Sequence, residues 1–229
     1  MASCKISSPV LLHCKGVLFD MDGILISSIG SVERSWNRWS LLRGVDPERA
    51  RRIAHGCRSI DTVAILRPDL DPAIENEIVE GFEMEDTDGV TVLPGVAELL
   101  ASLARDRWTV VTSATEPLAW VRLRAGSIAL PDRIVTSESV EEGKPHPAPY
   151  LAGAALLGLS PEECVVFEDA ASGVQAGRAA GCTVVATTFS HSAESLAAAH
   201  YLIEDLTGVE AAALDGNRGL ALRFTPLPL

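Results

Sequence analysis

The chain has 229 residues, of which 47% are hydrophobic and only 5% aromatic. This length and composition suit one domain, or a core with a smaller inserted domain, and they exclude a disordered chain. With 31 acidic and 19 basic residues, the formal net charge is −12. Such a charge disfavours non-specific nucleic-acid binding, which needs a basic surface. It would also repel an anionic substrate, unless a metal and a few cations reverse the local field.

The sequence also bears on the compartment. No segment has the roughly 20 apolar residues of a membrane span, and the first 13 residues do not resemble a signal peptide. The five cysteines are odd in number and match no zinc spacing, which predicts free thiols in a reducing compartment. We therefore expect a cytoplasmic protein without a membrane or nucleic-acid partner.

Short apolar runs alternate with helical patterns along most of the chain. The first run, residues 16–19, ends at Asp20, and similar runs follow at 109–112, 133–136, 164–167 and 183–186. Helices are predicted at 96–104, 147–157 and 174–180. This alternation predicts an α/β fold with a doubly wound parallel sheet, in which ligands bind beyond the carboxyl ends of the strands. Four runs end in, or lead into, a polar residue: Asp20, Ser113, Ser137 and Glu168.

Residues 29–90 interrupt this alternation. They predict helices at 32–42, 47–54, 60–66 and 72–84, with hinges at 27–28 and 91–95. We expect residues 1–28 and 91–229 to form the catalytic core, and residues 29–90 to form a small helical cap domain inserted after the first strand. Basic residues lie only before position 68 of this segment, and acids dominate after it. Either the two halves are differently charged solvated faces, or the basic half faces an anionic ligand.

The string Asp20-Met21-Asp22-Gly23 directly follows the first apolar run. Two carboxylates at a strand end are costly to bury unless they are paired. A Mg²⁺ ion would compensate them, since it prefers carboxylate oxygens. With a phosphate also bound, one carboxylate would attack phosphorus while the other handles protons. A solvated loop is the alternative interpretation of this string.

Three further segments carry polar groups suited to the same chemistry. Ser113 and Ala114 follow the second strand, where the hydroxyl group of Ser113 would donate hydrogen bonds to phosphate oxygens, although Ser at this place is also a common helix cap. Lys144 lies in a loop bounded by Gly and Pro, where it would neutralise phosphate and Asp20, or would be an ordinary solvated charge. Glu168 and Asp169 end a buried strand, where single acids are more often caps than metal ligands.

In this order and spacing, the four segments resemble the motifs of the haloacid dehalogenase-like hydrolases, specifically the phosphoglycolate phosphatase-like branch. The resemblance implies that Asp20 is the nucleophile and Asp22 the acid/base. It places Ser113 and Lys144 at the phosphate and gives Mg²⁺ as the cofactor. The implied metal ligands are Asp20, Asp22, Glu168 and Asp169.

Residues 55–61, 143–151 and 168–170 further resemble glycerol-3-phosphate, 2-deoxyglucose-6-phosphate and other sugar-phosphate phosphatases. The chain departs from the family at Ile24, where Thr is common, and at Ser27, where Asp is common. The implied substrate-binding residues are His55, Arg58, Ser113, Ala114 and Lys144. For Arg58 the alternative is a surface arginine that pairs with Asp61.

The function implied by the resemblance is a Mg²⁺-dependent phosphatase of small sugar or polyol phosphates, with an aspartyl-phosphate intermediate. A phosphomutase of the same fold and an inactive sugar-phosphate-binding protein are the alternatives. A dehalogenase is disfavoured because those enzymes lack the second acid that Asp22 supplies. We expect a small phosphorylated metabolite as partner and a monomer or weak homodimer. The tail after residue 213 shows no motif.

Overall fold

The computed structural model describes residues 8–54, 57–129, 131–214 and 219–228. In these ranges the strands are β1 (Val10–Cys14), β2 (Gly16–Phe19), β3 (Ile26–Ser27), β4 (Thr91–Val92), β5 (Trp108–Val110), β6 (Cys164–Glu168), β7 (Thr183–Thr187), β8 (Tyr201–Ile203), β9 (Glu210–Ala213) and β10 (Leu220–Phe224). The helices are α1 (Ile29–Arg43), α2 (Pro47–Ala54), α3 (Ser59–Leu66), α4 (Pro72–Glu85), α5 (Val96–Ser102), α6 (Glu116–Ala125), α7 (Ala148–Leu156) and α8 (Ala171–Ala180).

Five strands form a central parallel sheet in the order β5-β2-β6-β7-β8. The strands are short and apolar, and alternate residues enter two different cores. Val17 and Phe19 pack with α5 and α6 on one face. Leu18 packs with α7 and α8 on the other. Helices on both faces explain why these strands are continuous apolar runs rather than alternating ones. The predicted doubly wound α/β fold is confirmed.

Two smaller sheets were not predicted. β1, β10 and β9 form an antiparallel sheet. The tail after residue 213, in which the sequence shows no motif, therefore contributes the strand β10, which pairs with β1. β3 and β4 pair at the two predicted hinges. The prediction of a strand at 133–136 is wrong: in this segment Val135 forms an isolated bridge with Val111 rather than a ladder.

Helices α1 to α4 lie between β3 and β4 and are called the helical insert here. Their predicted positions are close to the observed bounds, and the described part of 29–90 contains no strand. The insert has its own core, which includes Trp36, Trp39, Val63 and Val79. It follows the third strand rather than the first, because β1 and β3 were not predicted.

Much of the uneven charge of the insert is neutralised within it. Arg34 pairs with Asp86, and Arg43 pairs with Glu75, which also accepts a hydrogen bond from Trp39. These pairs join the basic first part of the insert to its acidic second part. They account for part of the asymmetry without an anionic ligand.

The described cysteines, at positions 14, 57, 164 and 182, are free, as predicted. Within the described ranges, no helix is both long enough and apolar enough to cross a membrane.

Candidate active site

Three acids meet at the carboxyl edge of the central sheet. Asp20 follows β2, while Glu168 ends the neighbouring strand β6 and is followed by Asp169. One carboxylate oxygen of each residue lies within 4.8 Å of the other two, and all three side chains are buried. Parallel strands end at the same edge of a sheet, so acids placed after two adjacent strands are brought together.

Lys144 neutralises part of this cluster. Its Nζ donates to Asp20 Oδ1 at 2.6 Å, to Glu168 Oε1 at 2.7 Å and to the carbonyl oxygen of Val111 at 3.1 Å. Burial alone would lower the pKa of Lys144, but the carboxylates of Asp20 and Glu168 raise it above its usual value. The lysine is therefore charged and bound to the predicted nucleophile.

Glu168 is held from several sides. Tyr150 donates to its Oε1 at 2.8 Å, and the amides of Asp169 and Ala170 donate to its Oε2 at 2.9 and 3.0 Å. Burial acts to raise the pKa of Glu168, yet it lies below its usual value because Lys144 and these donors stabilise the carboxylate. Glu168 is thus a fixed negative charge at the floor of the site.

The other two acids are less well compensated. Burial raises the pKa of Asp20 to about 7, although Lys144 acts to lower it. Burial, together with the charges of Glu168 and Asp20, raises the pKa of Asp169 well above its usual value, although Ser190 donates a hydrogen bond to it. A divalent cation would favour the ionised form of both.

The donor set fits Mg²⁺, which prefers oxygen ligands and commonly uses one or two carboxylates together with water. Gly23 keeps this edge open for Asp169. It has φ +81°, and a Cβ there would lie only 1.8 Å from Asp169 Oδ2. A side chain at position 23 would therefore displace a predicted metal ligand.

Asp22 lies apart from the three clustered acids. Its Oδ1 accepts a hydrogen bond from Ser28, and its Oδ2 accepts one from Arg122 Nη1 at 2.9 Å. Among the described residues, the Asp22 carboxylate is not in the group that could hold a metal. Both of its oxygens are instead engaged with Ser28 and Arg122, so its predicted part in metal binding remains a prediction.

The second predicted motif lies at the same site. Ser113 and Ala114 line a cavity together with Asp20, Asp22 and Asp169. The amide of Ala114 donates to Thr112 Oγ1 at 3.1 Å, so in this arrangement it is engaged within its own loop. Their contacts with phosphate remain predictions.

The helical insert covers this cavity. Val32 and Trp36 from α1 give it apolar walls, while Glu33 and Arg51 add charged groups. Arg51 also contacts Glu48 and Asn37. Of the basic residues in the insert, Arg51 lines the cavity, whereas Arg58 does not.

Arg58 bridges the insert and the core. It donates to both carboxylate oxygens of Asp61, at 2.7 and 3.0 Å, and to the carbonyl of Glu141 at 2.9 Å. It also packs against Gly143, beside Lys144. The alternative pairing with Asp61 therefore occurs, together with a contact to the loop of the third motif. His55, the other predicted contact from this loop, lies outside the described residues.

Sequence reasoning missed several side chains that hold the site. Ser28 and Arg122 contact Asp22, Glu83 pairs with Arg122, and Ser190 contacts Asp169. Only tertiary packing brings them together, and none of them lies in a motif. Tyr150 lies in the segment 143–151 that resembles the sugar-phosphate phosphatases, but nothing in the sequence predicted its hydrogen bond to Glu168.

Comparisons with known proteins agree with this geometry. Residues 14–181 match the family model "haloacid dehalogenase-like hydrolase". The chain is 43% identical over 180 residues to hexitol phosphatase A of Escherichia coli (strain K12), covering 76% of this chain and 83% of that protein. It is 34% identical to glycerol-1-phosphate phosphohydrolase 1 of Saccharomyces cerevisiae, covering 80% and 79%.

A crystal structure of a hydrolase from Pseudomonas syringae has a similar fold, with a TM-score of 0.76 and 24% identity over 85% of this chain and 94% of the other. The buried acids at adjacent strand ends, the lysine between them and the matched family model support one assignment. The chain belongs to the haloacid dehalogenase-like hydrolases.

Proposed function

We propose that the protein is a Mg²⁺-dependent phosphatase of small sugar or polyol phosphates, with Asp20 as the nucleophile. The observation that carries the proposal is the buried Asp20 at the floor of a cavity, bound to Lys144 and next to Glu168 and Asp169. A carboxylate at such a position meets an entering phosphate directly. The lysine reduces the repulsion between the two anions.

In the first step, an oxygen of Asp20 attacks phosphorus. The bond between phosphorus and the ester oxygen breaks, and Asp22 gives its proton to that oxygen as the alcohol leaves. In the second step, Asp22 takes a proton from water as the water oxygen attacks phosphorus. The bond from Asp20 to phosphorus then breaks, which releases phosphate and restores both acids. Lys144 and Ser113 hold the phosphate oxygens.

Asp20, Glu168 and Asp169 would hold the Mg²⁺ ion, and Asp22 is a further candidate ligand. When bound, the ion supplies positive charge that neutralises the acids and the phosphate oxygens. Lys144 offsets part of the negative charge of Asp20 and Glu168, while the net charge of the whole chain is −12. A second cation is thus needed where an anionic substrate binds.

In this proposal, the helical insert is the cap domain, and residues 1–28 and 91–229 are the catalytic core. The cap closes the cavity, excludes bulk water and selects the alcohol part of the substrate. Trp36 offers an apolar surface, while Glu33 and Arg51 offer an acceptor and donors for hydroxyl groups. Such a lining suits a polyhydroxy alcohol carrying one phosphate. The named activities of the two related phosphatases support this substrate class.

The test is a panel of hexitol, glycerol and deoxysugar monophosphates, with release of inorganic phosphate as the readout. We expect one or a few of them to be hydrolysed in Mg²⁺. Incubation with a hexose 1-phosphate in the same series separates the alternatives. Isomer without free phosphate would instead show a phosphomutase, and no turnover of any compound would show a binding protein.

A further inference from the structure

The carboxylate of Asp22 is held at both oxygens by residues outside the four motifs. Ser28, the residue just before α1, donates to Oδ1, and Arg122 donates to Oδ2 at 2.9 Å. Asp22 itself is about 30% exposed, whereas the Arg122 side chain is only about 6% exposed. A partly exposed carboxylate is thus held by a buried cation.

Arg122 lies between Asp22 and the helical insert. It belongs to α6 of the core, against which α4 of the insert packs. Its Nη2 lies 3.2 Å from Oε2 of Glu83, a buried acid on α4. On the same helix, one turn earlier, Glu80 accepts a hydrogen bond from Thr115 of the core. Arg122 thus links the packing of the insert on the core to the predicted acid/base.

The arrangement is costly if it serves stability alone. Nε and Nη2 of Arg122 have no hydrogen-bond partner among the described residues, and the contact with Glu83 is an ion pair without hydrogen-bond geometry. Buried N–H groups left without partners cost free energy, and buried ion pairs often stabilise less than apolar packing would. The presence of a buried arginine at this position therefore points to a role in orienting Asp22.

We propose that Arg122 is a positioning residue for proton transfer. It holds Asp22 in the orientation from which its proton reaches the ester oxygen, and through Glu83 it ties that orientation to the position of the insert. The inference rests on the proposed phosphatase function. It predicts that Arg122 matters most for substrates whose leaving alcohol must be protonated. A phenolate that leaves unprotonated should depend on it little.

The test compares Arg122→Gln with Arg124→Gln, an exposed arginine on the same helix. Each variant is assayed with the preferred polyol phosphate and with p-nitrophenyl phosphate. Arg122→Gln should lower kcat by about 10–100-fold on the polyol phosphate, the scale of a misplaced acid/base group, and by only a few-fold on p-nitrophenyl phosphate. Arg124→Gln should match the wild-type protein on both.

Three further variants exclude a merely structural role. Arg122→Lys keeps the charge and should recover part of the lost kcat. Glu83→Gln should lower kcat for the polyol phosphate less than Arg122→Gln does, with the same preference between substrates. In an Asp22→Asn background, Arg122→Gln should cause little additional loss, because the two residues act as a unit.

Equal losses on both substrates, or fully additive losses in the Asp22→Asn background, would overturn the inference. If Arg122→Gln does not fold, Arg122→Lys and Glu83→Gln carry the same comparison between substrates. A wild-type protein that releases no phosphate would instead contradict the proposed function itself.

Discussion

Replacing Lys144 by Met removes a cation that contacts both Asp20 and Glu168 while keeping most of the side-chain volume. The Lys144 side chain is 2% exposed, and its Nζ lies 2.6 and 2.7 Å from the two carboxylates. Removal of one partner from a buried ion pair costs about 3–5 kcal/mol, since the other charge is left uncompensated. Asp20 can take up a proton and Glu168 keeps its other donors, so we expect a loss within this range.

For a protein of this size, such a loss corresponds to a drop in Tm of about 6–20 °C. Mg²⁺ should recover part of it, because the cation replaces the missing charge by binding the folded state. The assay is thermal unfolding of wild-type and Lys144→Met proteins, each in chelator and in Mg²⁺. Circular dichroism at neutral pH follows the transition.

The matched control is Lys15→Met, which removes an exposed lysine that pairs with Glu163. Its Tm should change much less, because solvent screens that pair. If Lys144→Met unfolded in chelator at the same temperature as Lys15→Met, the buried lysine would not be compensating the acids. If Mg²⁺ stabilised Lys144→Met no more than it stabilises Lys15→Met, the ion would not bind among those acids.

Three other predictions follow from the site. Activity should vanish in chelator and return with Mg²⁺, while Ca²⁺ should inhibit because it takes a larger and looser coordination shell; full activity in excess chelator would exclude the metal site. Burial raises the pKa of Glu83 from 4.5 to about 7, against the effect of Arg122, so the folded state holds this proton more tightly than the unfolded state does. Its contribution to stability is complete below about pH 4.5 and is lost as the pH rises through 7. Glu83→Gln should remove that part of the pH dependence of the free energy of unfolding, on the order of 3 kcal/mol, in urea unfolding from pH 5 to 8. A pH dependence parallel to that of the wild-type protein would refute this role of Glu83. Arg58→Ala should lower kcat/KM by about 10–100-fold for the preferred sugar or polyol phosphate and barely for p-nitrophenyl phosphate. Equal losses on both substrates would instead assign Arg58 to phosphate binding, and no loss on either would leave it a surface residue.

The sequence was most informative where local pattern and chemistry coincide. Apolar runs ending in Asp20 and Glu168 predicted buried strands with acids at one edge, because parallel strands share the direction in which they end. The helices of the insert were also predicted closely, and two of them, α2 and α4, begin with a Pro that marks their first turn.

The parts that were missed depend on contacts between distant segments. β1, β9 and β10 stabilise one another only as a sheet, and none of them has a decisive pattern alone. The run at 133–136 has strand propensity, but it forms one bridge instead of a ladder. Arg122 looks like an ordinary helix arginine in the sequence. Only the packing of α4 on α6 buries it between Asp22 and Glu83.

The most direct test of the central claim is the comparison of wild-type protein with Asp20→Asn in a phosphate-release assay, using the best substrate of the panel in Mg²⁺. The amide cannot attack phosphorus, so the variant should keep the wild-type circular dichroism spectrum and lose turnover by more than the ~10²–10⁴-fold typical of a missing acid/base group. Phosphate release by a folded Asp20→Asn protein at a rate near that of the wild type would contradict the account.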